Sequence, residues 1–192
     1  MAASAIYTIG YGGRDIETFI RLLNSFKVQY LVDVRSQPYS RYVPDYSIQL
    51  LEAHLNDSGI QYIFMGNTLG GRPKDPDCYV DNKIDYERVR NTPYFQAGLR
   101  RLRDAAKKEL QLVLMCAERH PEDCHRALLI GRTLAEGGYD MLHIDESDQL
   151  ISQADVMLRV IGHQPSLFGD DYTDFRMKQE IVQEAGKSGE QR

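Results

Sequence analysis

Short apolar runs alternate with amphipathic stretches from residue 5 to about residue 161. Ala5-Ile-Tyr-Thr-Ile9, Tyr30-Leu-Val-Asp-Val34, Ile60-Gln-Tyr-Ile-Phe64, Leu110-Gln-Leu-Val-Leu-Met115 and Asp140-Met-Leu-His-Ile144 each predict a buried strand. Between them lie apolar residues at helical spacing. Asp15 caps a first helix carrying Phe19, Ile20, Leu22 and Leu23, and Ser47 caps a second with Leu50, Leu51 and Leu55, ending near Gly59. A third runs from about Tyr94 to Lys108 with Phe95, Leu99 and Leu102 on one face. Pro121 suits the first position of a fourth, which closes at Gly137-Gly138, and a last helix spans roughly Asp148 to Ile161. Gly66 to about Ile84 is rich in Gly, Pro, Asn and Asp and predicts a long irregular loop, which in a small domain is usually functional or mobile.

Strands alternating with helices predict an α/β fold: an open, mainly parallel sheet of about five strands with helices on both faces, a Rossmann-like three-layer arrangement. Residues 1–162 read as a single α/β domain. Residues 163–192 read as a polar C-terminal tail with one short helical piece between Asp174 and Ala185.

Composition narrows the class. At 192 residues, 42% hydrophobic and 27% charged, the chain has the balance of an ordinary globular domain. It contains no run of about eighteen apolar residues, and no membrane partner is expected. Its first residues lack the basic region and apolar core of a signal peptide. Three cysteines, an odd set, then read as reduced thiols in the cytoplasm. The net charge of -5 argues against bulk wrapping of nucleic acid, but says nothing against a local arginine cluster.

In a parallel sheet the C-terminal strand ends share one edge, and the crevice there is the expected ligand site. The first strand is followed by Gly10, Tyr11 and Gly12. The second ends at Asp33 and leads to Arg35, Ser36 and Arg41. The third leads to Gly70, Gly71 and Arg72. The fourth leads to Cys116, Glu118, Cys124, His125 and Arg126, and the fifth ends at His143 and Asp145. Arg35, Arg41, Arg72 and Arg126 predict a positive crevice, with glycine-rich turns and a helix N-terminus offering N–H donors. An anionic small molecule, above all a phosphorylated one, or a nucleic-acid component is the expected ligand.

Thr8-Ile-Gly-Tyr-Gly12, Asp33-Val-Arg-Ser-Gln-Pro38, Leu69-Gly-Gly-Arg72, and Cys116-Ala-Glu118 with Cys124-His-Arg126 resemble the motif set of the bacterial domain-of-unknown-function family 488. The resemblance covers roughly residues 5–145. It implies an α/β domain and no particular reaction. Family members commonly carry Ser where Tyr11 stands.

Three functional readings stay open. In the first the chain is an enzyme of phosphorylated small molecules, nucleotides or nucleic-acid components. Arg35, Arg72 and Arg126 hold the anion, Glu118 serves as acid or base unless it is a structural ion-pair partner, Asp33 serves as acid or base or equally bonds loop N–H groups to hold the site together, and Cys116 is the nucleophile, unless it is simply core. In the second it is a non-enzymatic binding module. In the third it is a thiol or metal protein using Cys116, Cys124 and His125. Against the third, Cys124 and His125 are adjacent on the helix expected from Pro121 and so point apart, and Cys124 lies on that helix's apolar face. No metal or other cofactor is therefore expected. In the tail, Gln164-Pro-Ser-Leu167-Phe168 resembles the Gln-x-x-Leu-Phe peptide by which bacterial proteins bind the replication sliding clamp, with Leu167 and Phe168 as apolar anchors; an intramolecular latch is the alternative.

Overall fold

The structure, a computed structural model, describes residues 5–162. The tail residues Gln164, Leu167 and Phe168, and the helix expected between Asp174 and Ala185, lie outside the described residues. In chain order the elements are β1 (Ile6–Gly10), α1 (Ile16–Ser25), β2 (Tyr30–Asp33), α2 (Ile48–Asp57), β3 (Gln61–Phe64), α3 (Gly66–Leu69), β4 (Tyr79–Val80), β5 (Lys83–Ile84), α4 (Tyr86–Arg90), α5 (Pro93–Lys107), β6 (Leu112–Cys116), α6 (Arg132–Glu136), β7 (Met141–Ile144), β8 (Leu150–Ser152) and α7 (Gln153–Gly162).

Six strands form the main sheet in the order β3-β2-β6-β1-β7-β8. All neighbours are parallel except β7 and β8. Alternation along β6 shows why both faces are covered: Val113 and Met115 pack with Phe19 and Leu23 of α1 and Leu51 and Leu55 of α2, whereas Leu112 and Leu114 pack with Phe95, Leu99 and Leu102 of α5. The order of strands has a consequence for function. The connection leaving β1 crosses β6 to reach β2, and the connection leaving β6 crosses β1 to reach β7. These two paths run on opposite faces of the sheet, which brings the loops after both strands to the same C-terminal edge.

Local signals explain most boundaries. Asp15 accepts from Thr18 N at 2.6 Å and caps α1 as expected. Ser47 occupies the cap position of α2, but its hydroxyl bonds Ser40 instead of the helix. Gly59 closes α2 at φ +74° and Gly138 follows α6 at φ +80°, both in the left-handed region.

Four expectations change. The stretch 66–84 is not an irregular loop: it holds α3, a 3-10 turn at Pro76–Cys78 and the β4–β5 hairpin, whose Asp81 and Asn82 both take positive φ. The last helix begins at Gln153, because Asp148 turns the chain at φ +61° into the antiparallel strand β8. The main sheet accordingly has six strands. The helix expected from Pro121 is broken in two. Pro121–Asp123 is one 3-10 turn, Cys124 is extended at φ -126° and ψ 139°, and Arg126–Gly131 is wound as a π-helix before α6. No helix among the described residues is long and apolar enough to cross a membrane.

Candidate functional site

The loops after β1, β2, β3 and β6 touch one another at the C-terminal edge. Tyr11 N donates to Cys116 O and Gly12 N to Ala117 O, both at 3.0 Å, which carries the β1–β6 ladder past the sheet. A Cβ on Gly10 would lie 1.7 Å from Glu118 O, so the β1 and β6 ends approach as only glycine permits. Gly12 lies against Ala117 and Arg119, and Gly70 against Ser36, whose hydroxyl accepts from Arg72 N at 2.9 Å. Gly71 packs on the His125 ring; a Cβ there would be 2.7 Å from its Cγ.

Arg126 is fully buried. Its two terminal nitrogens donate to Glu118 O at 2.5 Å and Arg119 O at 3.0 Å, and its Nε has no hydrogen-bond partner. It pins the 116–119 loop from below and pairs with no carboxylate among the described residues. The expected direct anion ligand is thus a buried positive charge beneath the 116–119 loop, with its terminal nitrogens spent on carbonyls.

Arg35 is also buried, and its partner is internal. Asp33, at 0% exposure, accepts from Arg35 Nε at 2.9 Å and Nη2 at 2.6 Å, and from Tyr62 Oη at 2.8 Å. Burial alone would lower the Arg35 pKa, but Asp33 outweighs it and raises it. Burial, reinforced by the Asp33 charge, raises the Tyr62 phenol. Asp33 is therefore a clamp for the β2 end, with no free oxygen for the acid or base role expected of it. Above it, the Arg35 guanidinium lies 5.2 Å from the centre of the Tyr11 ring, which stacks on Tyr46 at 4.1 Å.

Cys116, Cys124 and His125 converge. His125 Nδ1 stands 3.7 Å from Cys116 Sγ and 3.7 Å from Cys124 Sγ, and the three donor atoms all lie within 4.8 Å of one another. The other ring nitrogen, Nε2, is 3.1 Å from Val34 O. A carbonyl only accepts, so Nε2 carries a proton and Nδ1 faces the sulphurs. The expectation that Cys124 and His125 point apart fails because Cys124 is extended, which swings its side chain to the same side as His125. Cys124 is buried as expected, yet its surroundings are polar: Arg126 N donates to its Sγ at 3.5 Å. The two thiols differ. The hydrogen bond to Cys124, and then burial, raises Cys116 far above the usual thiol range. Burial opposes ionisation of Cys124 too, but the Cys116 thiol, Arg126 and His125 outweigh it and hold Cys124 well below that range.

Two buried assemblies are built on His143 and Asp145, which the sequence marked at the end of the fifth strand; their partners Gln153 and Arg14 went unnoticed. His143, at 0% exposure, is 2.7 Å from Thr8 Oγ1 through Nδ1 and 2.7 Å from Gln153 Oε1 through Nε2; Gln153 in turn donates to Ala127 O at 3.2 Å. Burial, with the Arg126 charge adding to it and the Gln153 bond opposing, lowers the His143 pKa to about 4. Arg14 ties the β1 end to the β7 end, donating to Gly10 O and Asp145 O at 2.5 Å each and to Asp148. Asp145 accepts from Ser147 N, Gln149 N and Arg159; burial would raise its pKa, and these donors lower it instead. Only the arginine count and the Gly12-Gly13-Arg14 spacing could have pointed to Arg14.

The remaining expected residues lie on the loops after β1, β2, β3 and β6. Glu118, Arg41 and Arg72 are exposed, as is Arg119, while Tyr11, Gly12, Ser36 and Gly71 are half-buried. A second group, His120, Glu122 and Glu146, also brings metal-type donors together, but Arg159 stands among them, 3.2 Å from Glu146 and 3.7 Å from Glu122.

A family model described as "Domain of unknown function DUF488" matches residues 15–133. No curated protein and no solved structure matches the chain.

Proposed function

The chain belongs to the DUF488 family, and from that premise we propose that it is an enzyme acting on a phosphorylated small molecule, nucleotide or nucleic-acid component. The ligand docks where the β1, β2, β3 and β6 loops meet. The observation that carries this reading is Arg126: a fully buried guanidinium with no carboxylate partner among the described residues, held under the 116–119 loop by the Glu118 and Arg119 carbonyls. A buried charge of this kind is costly unless an opposite charge compensates it; Cys124, whose ionisation Arg126 favours, is one such charge, and an anion bound at these loops is a second. Arg41, Arg72 and Arg119, exposed on the loops after β2, β3 and β6, add a positive approach. The same loops offer Glu118 as an accessible carboxylate for proton transfer and the Cys116–Cys124–His125 group as the reactive centre.

The test is a titration of the full chain with inorganic phosphate, mononucleotides, dinucleotides and short oligonucleotides, read by calorimetry and thermal shift. At least one is expected to bind, and Arg72→Ala, an exposed change, is expected to weaken it by about tenfold, as loss of one charge-assisted contact does. No binding by any of them, or binding untouched by both Arg72→Ala and Arg41→Ala, refutes the reading. A binder without turnover has the same geometry; Glu118→Ala separates the two, because only an enzyme has a rate to lose.

A further inference from the structure

We propose that Cys116 Sγ, Cys124 Sγ and His125 Nδ1 form a three-ligand site for a zinc-class divalent ion. The two nitrogen–sulphur separations are both 3.7 Å. A tetrahedral ion with metal–sulphur bonds of about 2.3 Å and a metal–nitrogen bond of about 2.0 Å spans about 3.5 Å along that edge. The donors therefore already stand at coordination spacing, and the sulphurs, within 4.8 Å of each other, need only a small approach to the roughly 3.8 Å such an ion asks.

The surroundings match the donors. A metal-bound histidine almost always gives its second ring N–H to a carbonyl or carboxylate, which fixes the tautomer. His125 does this with Val34 O at 3.1 Å, leaving the Nδ1 lone pair aimed between the sulphurs. Gly71 presses on the ring and holds its plane, and Arg126 N–H is directed at Cys124 Sγ. Two thiolates with one imidazole favour zinc over magnesium, calcium or manganese, which prefer oxygen.

Both thiols bind as thiolates, so loading releases to the buffer whatever proton the pair still holds, and the resulting centre of one divalent ion and two thiolates carries no net charge. The Arg126 charge then remains for an anion. Three protein ligands also leave a fourth position, the pattern of catalytic rather than structural zinc. This last link rests on the anion-crevice reading above; the metal site itself does not.

The experiment uses the full chain, purified without an affinity tag under reducing conditions and titrated with cobalt(II). One cobalt per chain is expected, with a thiolate-to-cobalt charge-transfer band in the near ultraviolet and the intense visible bands of tetrahedral coordination. Cys116→Ser is expected to lower cobalt affinity at least about tenfold and to halve the charge-transfer band. Should that variant fail to fold, the wild type suffices: zinc is expected to raise its Tm and a chelator to reverse the rise. The proposal is overturned if the wild type takes up no cobalt, if cobalt binds without a charge-transfer band, or if binding survives in folded Cys116→Ser unchanged, which would place the ion at His120, Glu122 and Glu146. Cobalt is read without any anionic ligand, and the anion titration without added metal, so failure of one leaves the other result intact.

Discussion

Acidifying the protein from pH 7 to about 4.5 puts the buried His143 under load. In the native state this ring bonds Thr8 and Gln153 in full burial, and its pKa falls from 6.5 to about 4. In the unfolded chain it titrates near 6.5. Above that pH neither state takes up the proton and His143 adds no pH dependence. As the pH falls through 6.5 the unfolded state gains a proton that the native state refuses, so stability declines until the native ring also titrates near 4. The interval from 6.5 to about 4, at about 1.4 kcal/mol per pH unit, amounts to about 3 kcal/mol. That is a large fraction of the roughly 5–15 kcal/mol holding a domain together. Urea unfolding at a series of pH values measures it, with His143→Asn as reference. The variant is less stable at pH 7, but its stability declines less steeply between pH 6.5 and 4, by the His143 share. Parallel curves for the two proteins would refute the assignment, as would a wild type that loses nothing in this interval.

Gly10→Ala is expected to prevent folding or to lower the Tm drastically, since its Cβ meets the Glu118 carbonyl oxygen at 1.7 Å and neither backbone can move without parting β1 from β6; a melting curve decides. Arg126→Ala is expected to cost stability as well as binding, because the Glu118 and Arg119 carbonyls lose their donor and a buried volume empties. A loss of about 3–4 kcal/mol corresponds to a Tm lower by roughly 10 °C, and an unchanged Tm would contradict the pinning role.

The strands, the alternation with helices and the gathering of loops at one edge were legible because they follow from short apolar runs and glycine-marked turns. What escaped the sequence depended on tertiary geometry. Pro121 signals a helix start, and Cys124 to Leu134 has helical spacing, so a continuous helix was expected; the extended Cys124 invalidates it and brings two thiols and an imidazole together. Arginines were counted as crevice ligands by their position after strands, but position does not say whether a guanidinium reaches solvent, as Arg72 does, or turns inward, as Arg35 and Arg126 do. The Thr8–His143–Gln153 chain joins residues 135 positions apart and leaves no local mark. Asp81-Asn82, by contrast, was a readable two-residue hairpin turn inside a stretch judged irregular by composition.

The π-wound segment Arg126–Gly131 acts as a spacer between two angular settings. A residue in an α-helix turns the chain by about 100°, and a π turn accommodates one more residue than an α turn over the same contact. Rewinding this segment as α-helix with its residue count unchanged would rotate what precedes it by about that angle relative to α6. Cys124, His125 and Arg126 would swing out of line with Val34, Cys116 and the Glu118 carbonyl together. The π winding of this stretch, which absorbs one extra residue, is what keeps the centre in phase with the sheet.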